Sequence, residues 1–267
     1  MQEKGIVLLF TLIMIVIISM ITISLLGIVG KENITAIYYQ YKLENKYLLQ
    51  AAVAKAKHQA QEKLAVNNHW RNCDLKGLNF FGSLRYKSLS DSKKVNINYR
   101  LNKIYDEQGK ANINYLSQIQ LKKLPGIESN LADKIQQRRN KKQFVAKEEL
   151  KNIKGVGERK YKKLKSFITV LTSEKININT ASYQVLQMLK NIGPSKAAKI
   201  ITYRQMNGAF KTKEELKDVP GIGLITYQYL ADQIIVESNL FTIVLKVSIP
   251  ERNVKQEVRK LIKLKGG

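Results

Sequence analysis

The stretch IYDEQGKANIN, residues 104–114, lies where the sequence changes its periodicity, and it decides how the fold is divided. Before it, VNINYRLNKIY at 95–105 alternates apolar and polar side chains, which predicts a half-buried strand. After it, from residue 112 to residue 236, short apolar-periodic segments alternate with glycine turns, which predicts helices. The stretch itself joins a strand end, an acidic turn with Gly109, and an asparagine-spaced entry to the helices.

Two further β regions flank the helices. LNFFGSLRY at 78–86 is aromatic and predicts a strand, and FTIVLKVSI at 241–249 alternates like one. PERN at 250–253 is able to turn, so VKQEVRKLIKLK at 254–265 is interpreted as pairing back in a hairpin, with a short basic amphipathic helix as the alternative. The helical region is therefore predicted to be inserted into a sheet whose strands come from both flanks.

The N-terminal segment predicts a membrane helix. IVLLFTLIMIVIISMITISLLGIVG at 6–30 holds no charge for 25 positions, enough at about 1.5 Å per residue to cross a hydrocarbon core of about 30 Å. The helical pattern continues beyond Gly30 without proline or glycine until Gly77. We therefore expect one continuous helix from Ile6 to about Val66.

Composition limits the chemistry. The chain has 46 Lys+Arg against 21 Asp+Glu, a net charge of +25, which favours an acidic partner such as nucleic acid or anionic lipid, or reflects a lysine-rich background. A single cysteine, Cys73, and two histidines, His58 and His69, leave no internal disulfide and no thiolate or imidazole metal cluster. With no Ser-His-Asp set and no phosphate loop, we expect no enzymatic activity and no cofactor.

The helical region is a duplication with a period of about 65 residues. KEELKNIKGVG at 147–157 recurs as KEELKDVPGIG at 213–223. Each copy contains two candidate hairpins of the form apolar-X-Gly-apolar-Gly, whose glycines allow a tight turn and expose backbone N–H groups to a phosphate. In KEEL we expect a helix start with a solvated acidic face and with Leu150 or Leu216 in the core.

The two copies differ in charge beside these glycines. Gly155 and Gly157 precede ERKYKKLK, with five basic residues against one acid, whereas Gly221 and Gly223 precede LITYQYLADQ, with none against one. In an earlier hairpin Glu128 would repel a phosphate. A structural turn is the favoured interpretation for Gly221 and Gly223, and it stays open for the other pair. The candidate phosphate contacts are Gly155, Gly157, Arg159, Lys160 and Lys163.

Three family resemblances follow from these motifs. The second copy, beginning ININTASYQVLQMLKNIGPSK, resembles the helix-hairpin-helix units of the ComEA family of DNA-uptake proteins over about 60 residues. The leader MQEKG, which ends in Gly5 before the apolar run, resembles prepilins, and this implies peptidase cleavage between Gly5 and Ile6; an ordinary anchor is the alternative. Phe10 then takes the fifth mature position, where most pilins carry glutamate. The junction resembles the "DE-x-GK-hydrophobic-N" motif of K-type minor pseudopilins of type II secretion, through Asp106, Glu107, Gly109, Lys110, Asn112 and Asn114.

The resemblance implies an α+β fold in which a pilin-like long N-terminal helix packs on a small antiparallel sheet, with an all-helical domain of tandem helix-hairpin-helix units inserted between strands. The expected divisions are a leader at 1–5, a transmembrane part at 6–30, a spine helix with the first strands at 31–110, the insertion at 111–237 with units at about 111–171 and 176–236, and returning strands with a basic tail at 238–267.

The resemblance also implies a role. Such a minor pseudopilin would lie at the pseudopilus tip, where a missing glutamate at Phe10 is tolerated, and would prime assembly in type II secretion or a related type IV-pilus-like system. Implied partners are the I- and J-type minor pseudopilins, the major pseudopilin, the inner-membrane assembly platform, and the prepilin peptidase, with methylation of the processed chain. The implied location is the inner membrane, single-pass, with the bulk of the chain periplasmic. Calcium binding is a family property whose ligands the sequence does not identify. The alternative is a membrane-anchored helix-hairpin-helix protein that binds DNA during uptake.

Overall fold

A computed structural model describes residues 2–66, 78–89 and 92–264, with side chains from residue 11 onward. His69 and Cys73 lie outside the described residues, and so do the side chains of Gly5, Ile6 and Phe10. The chain divides into two bodies. The smaller body comprises Met1–Ala52, Ser83–Asn98 and Ser248–Lys255, and the larger body comprises Val53–Gly82, Tyr99–Val247 and Gln256–Gly267.

The helices and strands alternate as follows. In chain order they are α1 (Gln2–Val66), β1 (Phe81–Lys87), β2 (Lys94–Asp106), β3 (Ala111–Asn112), α2 (Gln118–Lys122), α3 (Ser129–Lys141), α4 (Gly157–Leu164), β4 (Ile168–Thr169), β5 (Ile176–Asn177), α5 (Tyr183–Leu186), α6 (Pro194–Asn207), α7 (Leu224–Leu230), β6 (Ile234–Ile235), β7 (Leu240–Ile249) and β8 (Val254–Lys263). Short 3₁₀ helices lie at Lys147–Asn152, Glu214–Asp218 and Pro250–Arg252.

Helix α1 ends at Val66, as predicted, and begins at Gln2 because the polar leader continues the helical backbone. Its most apolar window has a mean hydropathy of 2.9, and by length and composition the helix is able to cross a membrane. The apolar side chains from residue 12 to residue 29 point outward from the helix and are exposed. Such a surface is typical of a helix that is covered by lipid or by other helices.

The sheet is antiparallel, with strand order β1–β2–β7–β8. Strands β7 and β8 form the predicted hairpin, and the alternative basic helix is wrong. The chain reverses through the 3₁₀ turn Pro250–Arg252 and through Asn253, whose φ of 51° is the left-handed conformation that asparagine tolerates. Alternating apolar residues of β8 then place Ile262 in the interior.

In the smaller body a buried carboxylate holds α1 to this turn. Arg252 donates to Glu44 Oε2 at 2.9 Å, to Asn45 Oδ1 at 2.7 Å and to Ser88 Oγ at 2.9 Å. The Glu44 carboxylate also accepts the Leu89 backbone N–H at 3.0 Å. Because the pair is almost fully buried and well bonded, it fixes one arrangement of helix and turn.

The duplication is visible in the larger body. The first repeat runs from β3 to β4 and the second from β5 to β6, and each is closed by its two short strands pairing in parallel. These strands were not predicted, because two residues leave no periodicity to recognise. Both repeats contribute to one apolar core. Fully buried residues at equivalent positions are Leu121 and Leu186, Ile135 and Ile200, Leu150 and Leu216, and Leu164 and Leu230.

Candidate functional site

The junction at residues 106–110 is interior, although its acidic sequence suggested an exposed turn. Strand β2 ends at Asp106, and the chain passes through Glu107 and Lys110 into β3. All three charged side chains are buried. Burying charges is costly unless each is paired or hydrogen-bonded, so the partners of these groups reveal what the junction does.

Asp106 is bonded mainly to the second repeat and to the segment that follows it. Its Oδ2 accepts from Ser238 Oγ at 2.6 Å, from Asn177 Nδ2 at 3.2 Å, and from the Thr180 hydroxyl. Its Oδ1 accepts the Gln108 backbone N–H at 2.8 Å. Burial raises the pKa of Asp106 above its usual range, and the hydrogen bonds from Ser238 and Thr180 oppose that rise.

Glu107 is bonded to the first repeat and to the sheet. Its Oε1 accepts from Lys110 Nζ at 2.6 Å and from Thr242 Oγ1 in β7 at 2.8 Å, and its Oε2 accepts from Thr169 Oγ1 in β4 at 3.0 Å. Burial alone would raise the pKa of Glu107, but the Lys110 ammonium and the Thr242 hydroxyl hold it below its ordinary value. The two adjacent carboxylates therefore attach one repeat each, and the junction acts as a structural anchor.

Gly109 is required by the close approach of the second repeat. A Cβ at this position would lie 2.4 Å from Thr180 Oγ1 and 3.1 Å from the Thr180 carbonyl carbon. Only a hydrogen atom fits between these two parts of the chain.

The paired asparagines bracket each repeat. In the first, Asn112 Oδ1 accepts the Asn114 backbone N–H at 3.0 Å. The Asn114 side chain then donates to the Phe144 carbonyl and accepts its N–H, both at 2.9 Å. The same bonds recur in the second repeat at Asn177, Asn179 and Phe210. The asparagine spacing is thus a structural signature of the repeat.

Two arginines with a structural role were not selected from the sequence. Arg139 donates to the Ile113 and Leu116 carbonyls at 3.0 Å and 2.6 Å. Arg204 makes the matching bonds, to the carbonyls of Ile178 and Ala181. The spacing of 65 residues between the two arginines was the signal that could have identified them.

The KEEL glutamates are bonded, and the expectation of a solvated acidic face was wrong. Glu148 Oε1 accepts from Tyr161 OH at 2.7 Å, and Glu214 Oε1 accepts from Tyr227 OH at 2.6 Å. Burial raises the pKa of Tyr161, and the Glu148 carboxylate raises it further. As expected, Leu150 lies in the core, and so does Leu216 of the second repeat. KEEL thus closes a 3₁₀ turn onto the helix that follows it.

Three of the hairpins share one backbone geometry within residues 92–264. A residue with positive φ is followed by a buried isoleucine and then by an extended residue that begins the next helix. The positive-φ residues are Gly126, Asn191 and Gly221, and the extended residues are Glu128, Gly193 and Gly223. Because any residue adopts the extended conformation, a glutamate is tolerated there.

The hairpin selected for phosphate binding differs from these three. Gly155 has a φ of 106°, but Gly157 also has a positive φ of 54°, and Gly157 is already the first residue of α4. Arg159 and Lys163 are exposed, Lys160 is half-buried, and the three form no hydrogen bond or ion pair with any described residue. The positive charge of α4 is therefore open to solvent, as the sequence comparison of the two repeats suggested.

The candidate calcium site finds no ligand set in the described part of the chain. There, no group of three or more His, Cys, Asp or Glu side chains is arranged to hold a metal ion. The two junction carboxylates are already bonded to protein donors. We assign no metal ligand to this chain.

Comparison with known proteins agrees with these elements. Residues 106–169 and 172–235 each match the family model described as a helix-hairpin-helix motif. ComE operon protein 1 of Bacillus subtilis is 44% identical over 62 residues, which are 23% of this chain and 30% of that protein. An uncharacterized protein of Haemophilus influenzae is 42% identical over 66 residues, which are 24% of this chain and 59% of that protein. The chain thus covers less than two thirds of either relative.

One solved structure resembles the chain as a whole. It is a chain of the GspK-GspI-GspJ complex from the enterotoxigenic Escherichia coli Type 2 Secretion System, with a TM-score of 0.55 and 15% sequence identity over 84% of this chain and 95% of that one. At this identity the similarity establishes the fold. The protein has an α+β, pilin-like fold with a long apolar N-terminal helix, an antiparallel sheet and two helix-hairpin-helix repeats.

Proposed function

We propose that the protein is a K-type minor pseudopilin, a non-enzymatic subunit of a type II secretion pseudopilus or of a related type IV-pilus-like assembly. The observation that carries the proposal is the order of elements along nearly the whole chain: an apolar helix, two strands, two helical repeats, and two returning strands. A chain from a type II secretion complex covers 84% of this protein in that order.

The apolar surface of α1 supports a membrane location. Exposed leucine, isoleucine, valine and methionine side chains fill residues 12–29, and such a surface is stable in lipid or against neighbouring apolar helices. We propose a single pass through the inner membrane, with the sheet and the repeats on the periplasmic side. Proposed partners are the I- and J-type minor pseudopilins, the major pseudopilin, the assembly platform and the prepilin peptidase.

Processing at Gly5 tests this proposal. Coexpression with a prepilin peptidase should yield a chain that begins at Ile6 by intact mass, and Gly5→Leu should stay uncut. The matched control Gly30→Leu carries the same substitution in the same helix and should be cut like the wild type. The processed chain should also copurify with I- and J-type pseudopilins. An uncut wild-type chain that copurifies with neither of them would contradict the proposal.

The second candidate is DNA binding during uptake, which the open cations of α4 and the relative encoded by a ComE operon favour. If α4 binds the duplex backbone, the full chain in detergent should shift a 30-base-pair duplex. Arg159→Glu with Lys163→Glu should lower the slope of log affinity against log salt by about 2. Lys199→Glu with Lys211→Glu reverses two exposed charges in the second repeat and should change the slope much less. Equal losses in both pairs would count against a hairpin site.

A further inference from the structure

A cationic groove of about 590 Å³ lies in the larger body, outside the hairpins. It is bounded by the end of β2, the junction, the KEEL turn of the first repeat, the chain after α4, and β8. We call it the KEEL groove. Its basic lining residues are Lys103, Lys110, Lys147, Lys165 and Arg259.

The positive charge of the KEEL groove exceeds the negative charge that faces it. Its acidic lining residues are Glu107 and Glu148, so five cations against two carboxylates leave a net +3. Glu107 is held by Lys110 and two threonine hydroxyls, and Glu148 accepts from Tyr161. Because both carboxylates already have bonded partners, they neutralise the remaining cations only partly.

Lys147 has no hydrogen bond or ion pair among the described residues, although it is half-buried. Burial lowers the pKa of Lys147, and repulsion from the nearby Lys110 lowers it further. The equivalent residue of the second repeat, Lys213, instead donates to the Ala231 carbonyl at 3.0 Å. An anion in the KEEL groove would give Lys147 the partner that Lys213 already has.

The second repeat lacks this groove chemistry. At the positions equivalent to Lys165 and Leu171 it has Ala231 and Glu237. One cation is therefore lost and one acid is gained. The KEEL groove is thus a property of the first repeat and does not follow from the fold of a repeat in general.

The apolar lining of the KEEL groove favours a peptide over a nucleic acid. Val145 is 73% exposed and Leu171 is 48% exposed, and both line it beside Tyr105. The convex, uniformly charged backbone of duplex DNA offers nothing to these side chains and does not enter a concave groove. A peptide that alternates carboxylates with apolar side chains matches both features.

We propose that the KEEL groove binds an acidic-apolar peptide segment of a partner protein, with carboxylates against Lys147 and Lys165 and apolar side chains against Val145 and Leu171. This site does not depend on the assembly role proposed above. A chain that failed to be processed at Gly5 would still bind such a peptide, so the two proposals fail separately.

The test measures the fluorescence anisotropy of an octapeptide of alternating glutamate and leucine that carries a neutral dye. The full chain is used in a non-ionic detergent, with empty micelles as the blank. We expect saturable, salt-sensitive binding that is lost when glutamine replaces every glutamate. Lys103→Gln with Lys165→Gln, two exposed positions whose change leaves the interior intact, should weaken binding about tenfold or more, as for paired charge contacts across an interface. Lys147→Met should do the same.

Lys199→Gln with Lys211→Gln is the matched control, since it removes two exposed charges of the second repeat and should leave the affinity within about twofold. The exposed Lys103 and Lys165 variant decides the question even where Lys147→Met does not fold. Equal binding of the glutamine peptide, equal losses in the control pair, or binding of a 20-base-pair duplex without binding of the peptide would each overturn the proposal.

Discussion

Lys110→Met is expected to lower the free energy of unfolding of the larger body by about 3–5 kcal/mol, because it leaves a buried carboxylate without its cation. The Glu107 side chain is 3% exposed and that of Lys110 is 10% exposed, with 2.6 Å between Nζ and Oε1. Once the ammonium is removed, two threonine hydroxyls are the remaining side-chain donors to Glu107. They do not compensate a full charge in the interior.

Pulse proteolysis in urea, on the full chain in detergent, measures this change. The matched control is Lys151→Met, because Lys151 pairs with Glu158 at 3.0 Å at the surface and should contribute about 1 kcal/mol or less. Glu107→Gln added to Lys110→Met removes the orphaned charge and should recover much of the loss. A Lys110→Met effect no larger than that of Lys151→Met would refute the anchoring role of the junction.

The effect of Lys110→Met should also depend on pH. The folded-state pKa of Glu107 is depressed, so the ion pair's contribution is fully present above the unfolded pKa of about 4.3 and is lost as the pH falls through the folded value. The stability difference between wild type and variant should therefore be largest near neutral pH and should narrow on acidification below about pH 4. The raised pKa of Asp106 acts in both proteins alike.

Gly109→Ala is expected to destabilise the larger body by about 1–3 kcal/mol or more, the usual range for overpacking an interior site. The added methyl group would lie 2.4 Å from Thr180 Oγ1, which also donates to Asp106. Thr180 cannot move away without breaking that bond, and its backbone is equally close. The substitution therefore separates the second repeat from its anchor.

Urea unfolding of Gly109→Ala should be compared with Gly193→Ala. Gly193 begins α6 with an extended backbone, and nothing lies within 4 Å of a Cβ built there. That control should change the free energy of unfolding by about 1 kcal/mol or less. Should the two variants unfold at the same urea concentration, the close approach at Gly109 would not be a determinant of stability.

Local periodicity accounts for the parts of the fold that could be predicted. The uncharged run at 6–30 and the pattern beyond it predicted α1, and period-two alternation predicted β2, β7 and β8. The repeated KEEL and glycines identified the duplication, which the structure and the helix-hairpin-helix matches confirm. All of these signals depend on residues close together in the chain.

The sequence by itself therefore determined the helices, the strands, the duplication and the charge difference between the repeats. Only the tertiary structure decided that the junction carboxylates are interior anchors, that the KEEL glutamates are bonded, and that Lys147 faces a groove without a partner. Asp106 accepts its hydrogen bond from Ser238 across 132 positions of sequence, and Glu107 accepts one from Thr242 across 135. Burial and hydrogen bonding at such separations depend on how the repeats pack against the sheet, and local sequence patterns carry no record of that packing.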